Sequence, residues 1–270
     1  MEMVTRSDND EWDVTESVGA TALGAAEARA READNEHPLF TDPYAQVFLD
    51  AAAARGWSSQ AARVQESDPQ MYRRMQAIWC YSASRTKWFD EFFTGAGQAV
   101  ILAAGLDARA WRLPWVADSV VFEIDLPRVL QFKAEALPTP SVRYIPVLAD
   151  LREDWPQALL DAGFDRTRAT SWSAEGLLPY LSSRAQDTLF ERIDRLSAPG
   201  SRVGVDAITN EFYDDPAIVA RMRTQFGQIH DAITKVGGDM ADPSDLRVDE
   251  ARADPRYGCA SMVGRPMSLE

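Results

Sequence analysis

A chain of 270 residues can bury a large core and fits one α/β domain with a cap, and nothing in it demands two independent domains. Its 42 acidic against 28 basic residues give a formal net charge of −14, which argues against nucleic acid or an anionic membrane surface as a partner. The two cysteines, Cys80 and Cys259, form no CxxC pair, and no apolar run reaches the roughly 18 residues of a membrane span, so a reducing, cytoplasmic location without structural zinc is expected.

Residues 1–12 are polar and acidic and read as a loose arm. From Asp13 the chain turns alanine-rich, with Thr15 or Ser17 as N-cap and Val18, Ala22, Ala25 and Ala26 as an apolar stripe, which predicts a helix. His37-Pro38 stops it, and His37, with no second metal ligand near it, reads as a loop residue. A second helix follows, capped by Asp42, with Pro43 at its first position and Val47 and Phe48 facing inward. Residues 57–70 are polar, carry Ser58, Ser59, Ser67 and Asp68-Pro69, and read as a mobile connection and candidate lid. The next segment places Met71, Met75, Ile78, Trp79, Trp88, Phe89, Phe92 and Phe93 at helical spacing, and ends at Gly95 and Gly97. Its aromatics read as core. Arg85, inside it, is either an exposed helix arginine or a guanidinium that reaches a carboxylate over the sheet edge.

Ala99 to Ala104 is an unbroken apolar run, too short for a helix and without polar alternation, so it reads as a strand buried on both faces of a parallel sheet. It stops at Gly105, where the missing Cβ lets backbone approach a ligand, and Leu106 to Trp111 offers a short helical turn. A second run, Val120 to Ile124, ends in Asp125. Glycine at the end of one strand and a carboxylate at the end of the next is how α/β sheets hold a nucleoside, the acid accepting hydrogen bonds from ribose hydroxyls. There is one glycine here and no GxGxxG, which favours a single nucleoside over a dinucleotide. A plain turn glycine beside a solvated acid fits the same residues.

After Asp125, Pro127 opens a helix closed by Pro138 and Pro140, and VRYIPVLADL forms a third strand ending at Asp150-Leu151. DWPQALLDAG is a helix, ATSWSAEGLLPYL a fourth strand running into Glu175-Gly176, Ser182 to Ser197 a helix, and SRVGVDAI a fifth strand. Strands alternating with helices mean right-handed βαβ crossovers and a doubly wound, mostly parallel sheet. Asp125, Asp150 and Glu175 each close a predicted strand, at the edge where open α/β sheets bind ligands. Three acids there suit a cation, and with no His or Cys nearby an organic cation is preferred to a metal. Each acid singly could instead be an N-cap.

Together, WDVTESVGATAL, PLFTDPYAQVF, SRTKWFDEFF, VILAAGLDARAWRL, VFEIDLPRVLQFK, DLREDWPQAL and AEGLLPYL resemble one bacterial family over about residues 12–206. It is the group of S-adenosylmethionine-dependent methyltransferases related to leucine carboxyl methyltransferases. The resemblance implies a Rossmann-like class I methyltransferase fold with an N-terminal helical cap and S-adenosyl-L-methionine as cofactor. By that analogy Arg85 binds the methionyl carboxylate, Gly105 passes beside the ligand and Asp125 takes the ribose hydroxyls. Asp150 and the backbone of Leu151 hold the adenine, and Glu175 faces the methionyl ammonium or sulfonium.

The expected division is a cap and lid at 1–94, a cofactor-binding α/β core at 95–236 and an atypical tail at 237–270, in which no strand is predicted. Residues 211–236 read as a helix. The sheet is therefore expected to lack its last strands and to leave an edge. The expected reaction is methyl transfer to a carboxyl or hydroxyl of a small molecule or a C-terminal carboxylate. A carboxylate acceptor needs no general base; for a hydroxyl, Tyr180 or an acid near Glu175 is the candidate. A non-catalytic cofactor-binding protein and a nicotinamide oxidoreductase are the rival readings, the second weakened by the missing GxGxxG.

Overall fold

The computed structural model describes residues 18–59, 61–206, 252–254, 259–261 and 267–268. The expected N-terminal arm, the Thr15 or Ser17 cap and the 211–236 helix lie outside them. Four helices come first: α1 (Val18–Ala33), α2 (Pro43–Ala53), α3 (Ala61–Ser67) and α4 (Pro69–Phe92). The α2 start is built as predicted, the Asp42 carboxylate accepting the Tyr44 and Ala45 N–H groups at 3.1 and 3.2 Å, with Pro43 spending no donor.

Asp68-Pro69 repeats that arrangement at the head of α4, where Asp68 accepts the Met71 N–H at 2.9 Å. The polar stretch 57–70, expected from composition to be a mobile connection, is largely helical. It holds α3, whose polar residues are those of a surface helix, and the cap of the helix that follows. Two apolar assignments also change. Phe48 is fully buried while its neighbour Val47 is 38% exposed, and Ile78 on α4 is 57% exposed. Helical spacing locates a stripe, and the width of the partner surface decides which of its edges is covered.

From Gln98 the chain alternates: β1 (Gln98–Leu102), α5 (Arg109–Arg112), β2 (Val120–Asp125), α6 (Pro127–Ala136), β3 (Arg143–Leu148), α7 (Trp155–Asp161), β4 (Ser171–Ala174), α8 (Ser183–Leu196) and β5 (Arg202–Val205). Strand order is β3-β2-β1-β4-β5, all parallel, with the reversal of winding at β1. Period-2 alternation sends β1 side chains to opposite faces. Val100 and Leu102 join Phe122, Ile124 and Trp172 under α7 and α8, while Ala99, Ile101 and Val121 meet Phe89 and Phe92 of α4 and Phe93 at its C-cap. Both faces are covered, which is why these strands read as continuous apolar runs. Pro146 sits in β3, at the end of the sheet order, where a missing N–H is tolerated.

The tail departs from expectation. Strands β6 (Arg252–Asp254) and β7 (Cys259–Ser261) form an antiparallel pair, and β8 (Met267–Ser268) adds antiparallel to β5, Val203 opposite Met267. The sheet therefore continues past β5. A two-residue strand carries no periodic signal, so only pairing with a distant partner reveals it. No helix among the described residues is long and apolar enough to cross a membrane.

Candidate functional site

The carboxyl ends of the parallel strands converge where β1 hands over to α5. Ala103 and Gly105 in this turn both take positive φ, 49° and 51°. Glycine meets that at no steric cost; an alanine there costs about 1 kcal/mol, and such strain concentrates at ligand sites. The turn is locked by Asp125: its Oδ2 accepts the Gly105 N–H at 2.6 Å and its Oδ1 the Leu126 N–H at 2.7 Å. Glycine and acid, paired by sequence pattern, are in direct contact. Burial pushes the Asp125 carboxyl up, and the two N–H groups only partly offset it.

Beside Asp125 two large apolar side chains face solvent, Leu126 at 39% and Leu148 at 58% exposure, the latter opposite Asp125 in register. Asp150 follows Leu148 by two residues and accepts from Arg152, whose backbone N–H and Nε both lie at 2.9 Å. The Leu151 carbonyl accepts from Arg192 of α8 at 3.3 Å. Gly105, Asp125, Asp150 and Leu151 thus occupy adjoining strand ends.

Arg85 and Glu175 form a second cluster. Arg85 donates from Nε to Glu175 at 2.9 Å and from Nη1 to Asp206 at 3.1 Å. Its side chain is 16% exposed, so the solvated-arginine alternative does not describe it. Glu175 also accepts from Arg109 at 2.7 Å. Burial opposes its charge, but Arg109 and Arg85 outweigh that and hold it below the usual carboxylate range. Tyr180 lies in a 3-10 turn, Leu178–Tyr180, close enough to Arg85 and Asp206 to feel both charges, and its side chain bonds Thr21 of α1. Burial pushes its hydroxyl up.

Several site residues went unpredicted. Arg109, 2% exposed, donates to Asp90 at 2.8 Å, to Asp107 and to the Thr86 carbonyl as well as to Glu175. Arg112 grips Asp90 with two bonds of 2.6 Å and Arg29 bonds Asp42 at 2.8 Å. A continuous ladder of ion pairs so runs from α1 through α5 and α4 to the ends of β4 and β5. Among the described residues four arginines in it face five carboxylates, leaving one negative charge in surplus. Asp206 just beyond β5 closes a strand as Asp125 and Glu175 do, so the strand-end rule would have found it. Asp90, Asp107, Arg109 and Arg112 had no such signal, since charged residues on a helix or turn are ordinarily solvated. Among the described residues, no group of three His, Cys, Asp or Glu is placed to hold a metal ion.

The sequence pattern of the leucine carboxyl methyltransferase family matches residues 22–194. A Mycobacteroides abscessus protein, named as belonging to the S-adenosyl-L-methionine-dependent methyltransferases, is 49% identical over 268 residues, 93% of this chain and 85% of its own length. A Mycobacterium avium protein of the same designation is 49% identical over 259 residues, 91% of this chain and 81% of its own.

Proposed function

The chain belongs to the leucine carboxyl methyltransferase family and uses S-adenosyl-L-methionine, and from that premise we propose that it methylates oxygen, on a carboxyl or hydroxyl of a small molecule or a C-terminal carboxylate. The observation that carries the cofactor placement is the Gly105–Asp125 contact in a strained turn, at 2.6 Å and with two positive-φ residues. Each Asp125 oxygen accepts one backbone N–H and keeps lone pairs for ribose hydroxyls. The exposed Leu126 and Leu148 beside it offer an apolar rest for a flat base, with Asp150 at the adenine amino group and the Leu151 backbone at a ring nitrogen.

Arg85 then takes the methionyl carboxylate and Glu175, kept ionised by its two arginines, faces the methionyl ammonium. The surplus negative charge of the ladder suits a ligand of net positive charge. Bound there, the cofactor supplies an electrophilic sulfonium methyl group. The protein's part is to hold donor and acceptor in line and to exclude water. With its hydroxyl pushed up by burial, Tyr180 works as a hydrogen-bond donor that orients an acceptor oxygen, not as a base. This favours a carboxylate, which has no proton to lose. The described helices of the 1–94 division, α1 to α4, act as the cap over the α/β core of the 95–236 division.

Calorimetric titration with S-adenosyl-L-methionine and with NAD tests the cofactor, and S-adenosylhomocysteine formation with carboxylate and hydroxyl acceptor panels tests the reaction. Saturable binding of the first alone, with turnover of carboxylates, is expected. Binding of NAD would overturn the cofactor placement. Turnover confined to hydroxyls would overturn the carboxylate preference, and cofactor binding without turnover of either panel would favour the non-catalytic reading.

A further inference from the structure

Asp206 gathers three elements on one carboxylate. It lies at the end of β5, 4% exposed, beside Glu175 of the neighbouring strand end, since Ala174 and Val205 are register partners. Its Oδ1 accepts the Gly176 N–H at 2.5 Å. Its Oδ2 accepts the Tyr81 hydroxyl at 3.0 Å and Arg85 Nη1 at 3.1 Å. Tyr81 and Arg85 stand one helical turn apart on α4, with the Arg85 guanidinium 5.7 Å from the Tyr81 ring centre.

Gly176 belongs to the same assembly. It has φ +66°, and a Cβ there would come within 3.3 Å of Arg85 Nη1 and 3.8 Å of Nη2, so a residue without a side chain leaves the guanidinium its place. Among the described residues the Arg85 bonds use Nε toward Glu175 and Nη1 toward Asp206. The Nη2 edge remains for a ligand. A guanidinium is a rigid planar fork, so fixing two of its nitrogens fixes the direction of the third.

We propose that Asp206 is a positioning residue for the amino-acid end of the methyl donor: it aims Arg85 at the methionyl carboxylate and, through Gly176, sets the strand end that carries Glu175. The inference rests on the placement of the methionyl group at Arg85 proposed above. Asp206 does not touch the ligand in this arrangement. It acts through Arg85, so its loss is felt by ligands that carry the methionyl group and not by the nucleoside alone.

The test uses two probes in calorimetric titrations of the full chain. S-Adenosylhomocysteine carries the amino-acid end, and 5′-methylthioadenosine lacks it. Asp206→Asn keeps the shape and an acceptor for Gly176 but presents an uncharged group to Arg85. It is expected to weaken S-adenosylhomocysteine about tenfold to a hundredfold, the range for hydrogen bonds to charged groups, and 5′-methylthioadenosine less than about twofold. Tyr81→Phe removes one bond to Asp206 without changing charge and is expected to show the same bias at about threefold. Equal loss of both probes, or no loss of either, in Asp206→Asn overturns the proposal. If circular dichroism shows Asp206→Asn unfolded, Tyr81→Phe decides: bias against S-adenosylhomocysteine supports the assignment and equal behaviour overturns it. Wild-type protein that binds neither probe refutes the methyl-donor reading itself, a failure distinct from the other two.

Discussion

Replacing Asp125 by alanine removes two kinds of bond whose costs separate. Within the protein, the Gly105 and Leu126 N–H groups lose their acceptor at 2.6 and 2.7 Å. The Leu126 bond is exposed, so water replaces it at little cost, whereas the Gly105 donor is partly buried. An unmet buried donor costs roughly 1–3 kcal/mol. Against that, burial disfavours the Asp125 charge, and alanine relieves it, so the expected net loss of stability is about 1 kcal/mol. Ligand binding loses more. Ribose hydroxyls bonded to an ionised acceptor contribute roughly 1.5–3 kcal/mol, so affinity for S-adenosyl-L-methionine should fall about tenfold to a hundredfold. Calorimetric titration at a temperature where thermal unfolding shows the variant fully folded measures this, with Asp125→Asn falling between. Unchanged affinity in a folded Asp125→Ala protein would remove Asp125 from the site.

Gly105→Ala should cost about 1 kcal/mol in urea unfolding, because φ is +51° while the added Cβ would meet Ala22 at an ordinary 3.5 Å; no loss would mean the turn is not left-handed. Arg152→Ala should weaken S-adenosylhomocysteine about two- to fivefold, as befits a partly exposed pair, while sparing S-inosylhomocysteine, which lacks the adenine amino group Asp150 would bind; equal loss of both would detach Asp150 from the base. Burial, only partly offset by Lys133, pushes the Glu123 carboxyl up from 4.5 to about 7. Its contribution to stability is then full below pH 4.5 and is lost as pH rises through 7. Glu123→Gln should remove that slope in urea unfolding between these pH values, and an unaltered slope would refute the shift.

How much of the site was legible depends on where each residue's signal lies. Gly105 and Asp125 end buried apolar runs, and a run's end marks a strand's end, so their contact follows once the strands are parallel neighbours. Arg85 was legible as a candidate through family motifs, but its partners were not: Glu175 and Asp206 lie 90 and 121 residues away along the chain. Arg109 and Asp90 were missed because only the meeting of α5 with α4, where the two pair, distinguishes them from ordinary surface charges. The 57–70 stretch was misread because polarity is shared by loops and by one-sided surface helices.

Local chemistry written in single residues decided much of this protein. Asp42-Pro43, Pro127, Pro156 and Ser182 set helix starts, continuous apolar runs set a two-faced parallel sheet, and seven short motifs set the family. These are short-range signals, legible because capping, φ restriction and burial act within a few residues. Tertiary structure decided the rest. The closing strand β8, the exposure of Val47 and Ile78, and the ladder of buried arginines and carboxylates exist only once distant segments meet. A buried charge is tolerable only beside its counter-charge, and which side chains become such neighbours is a property of the folded sheet edge.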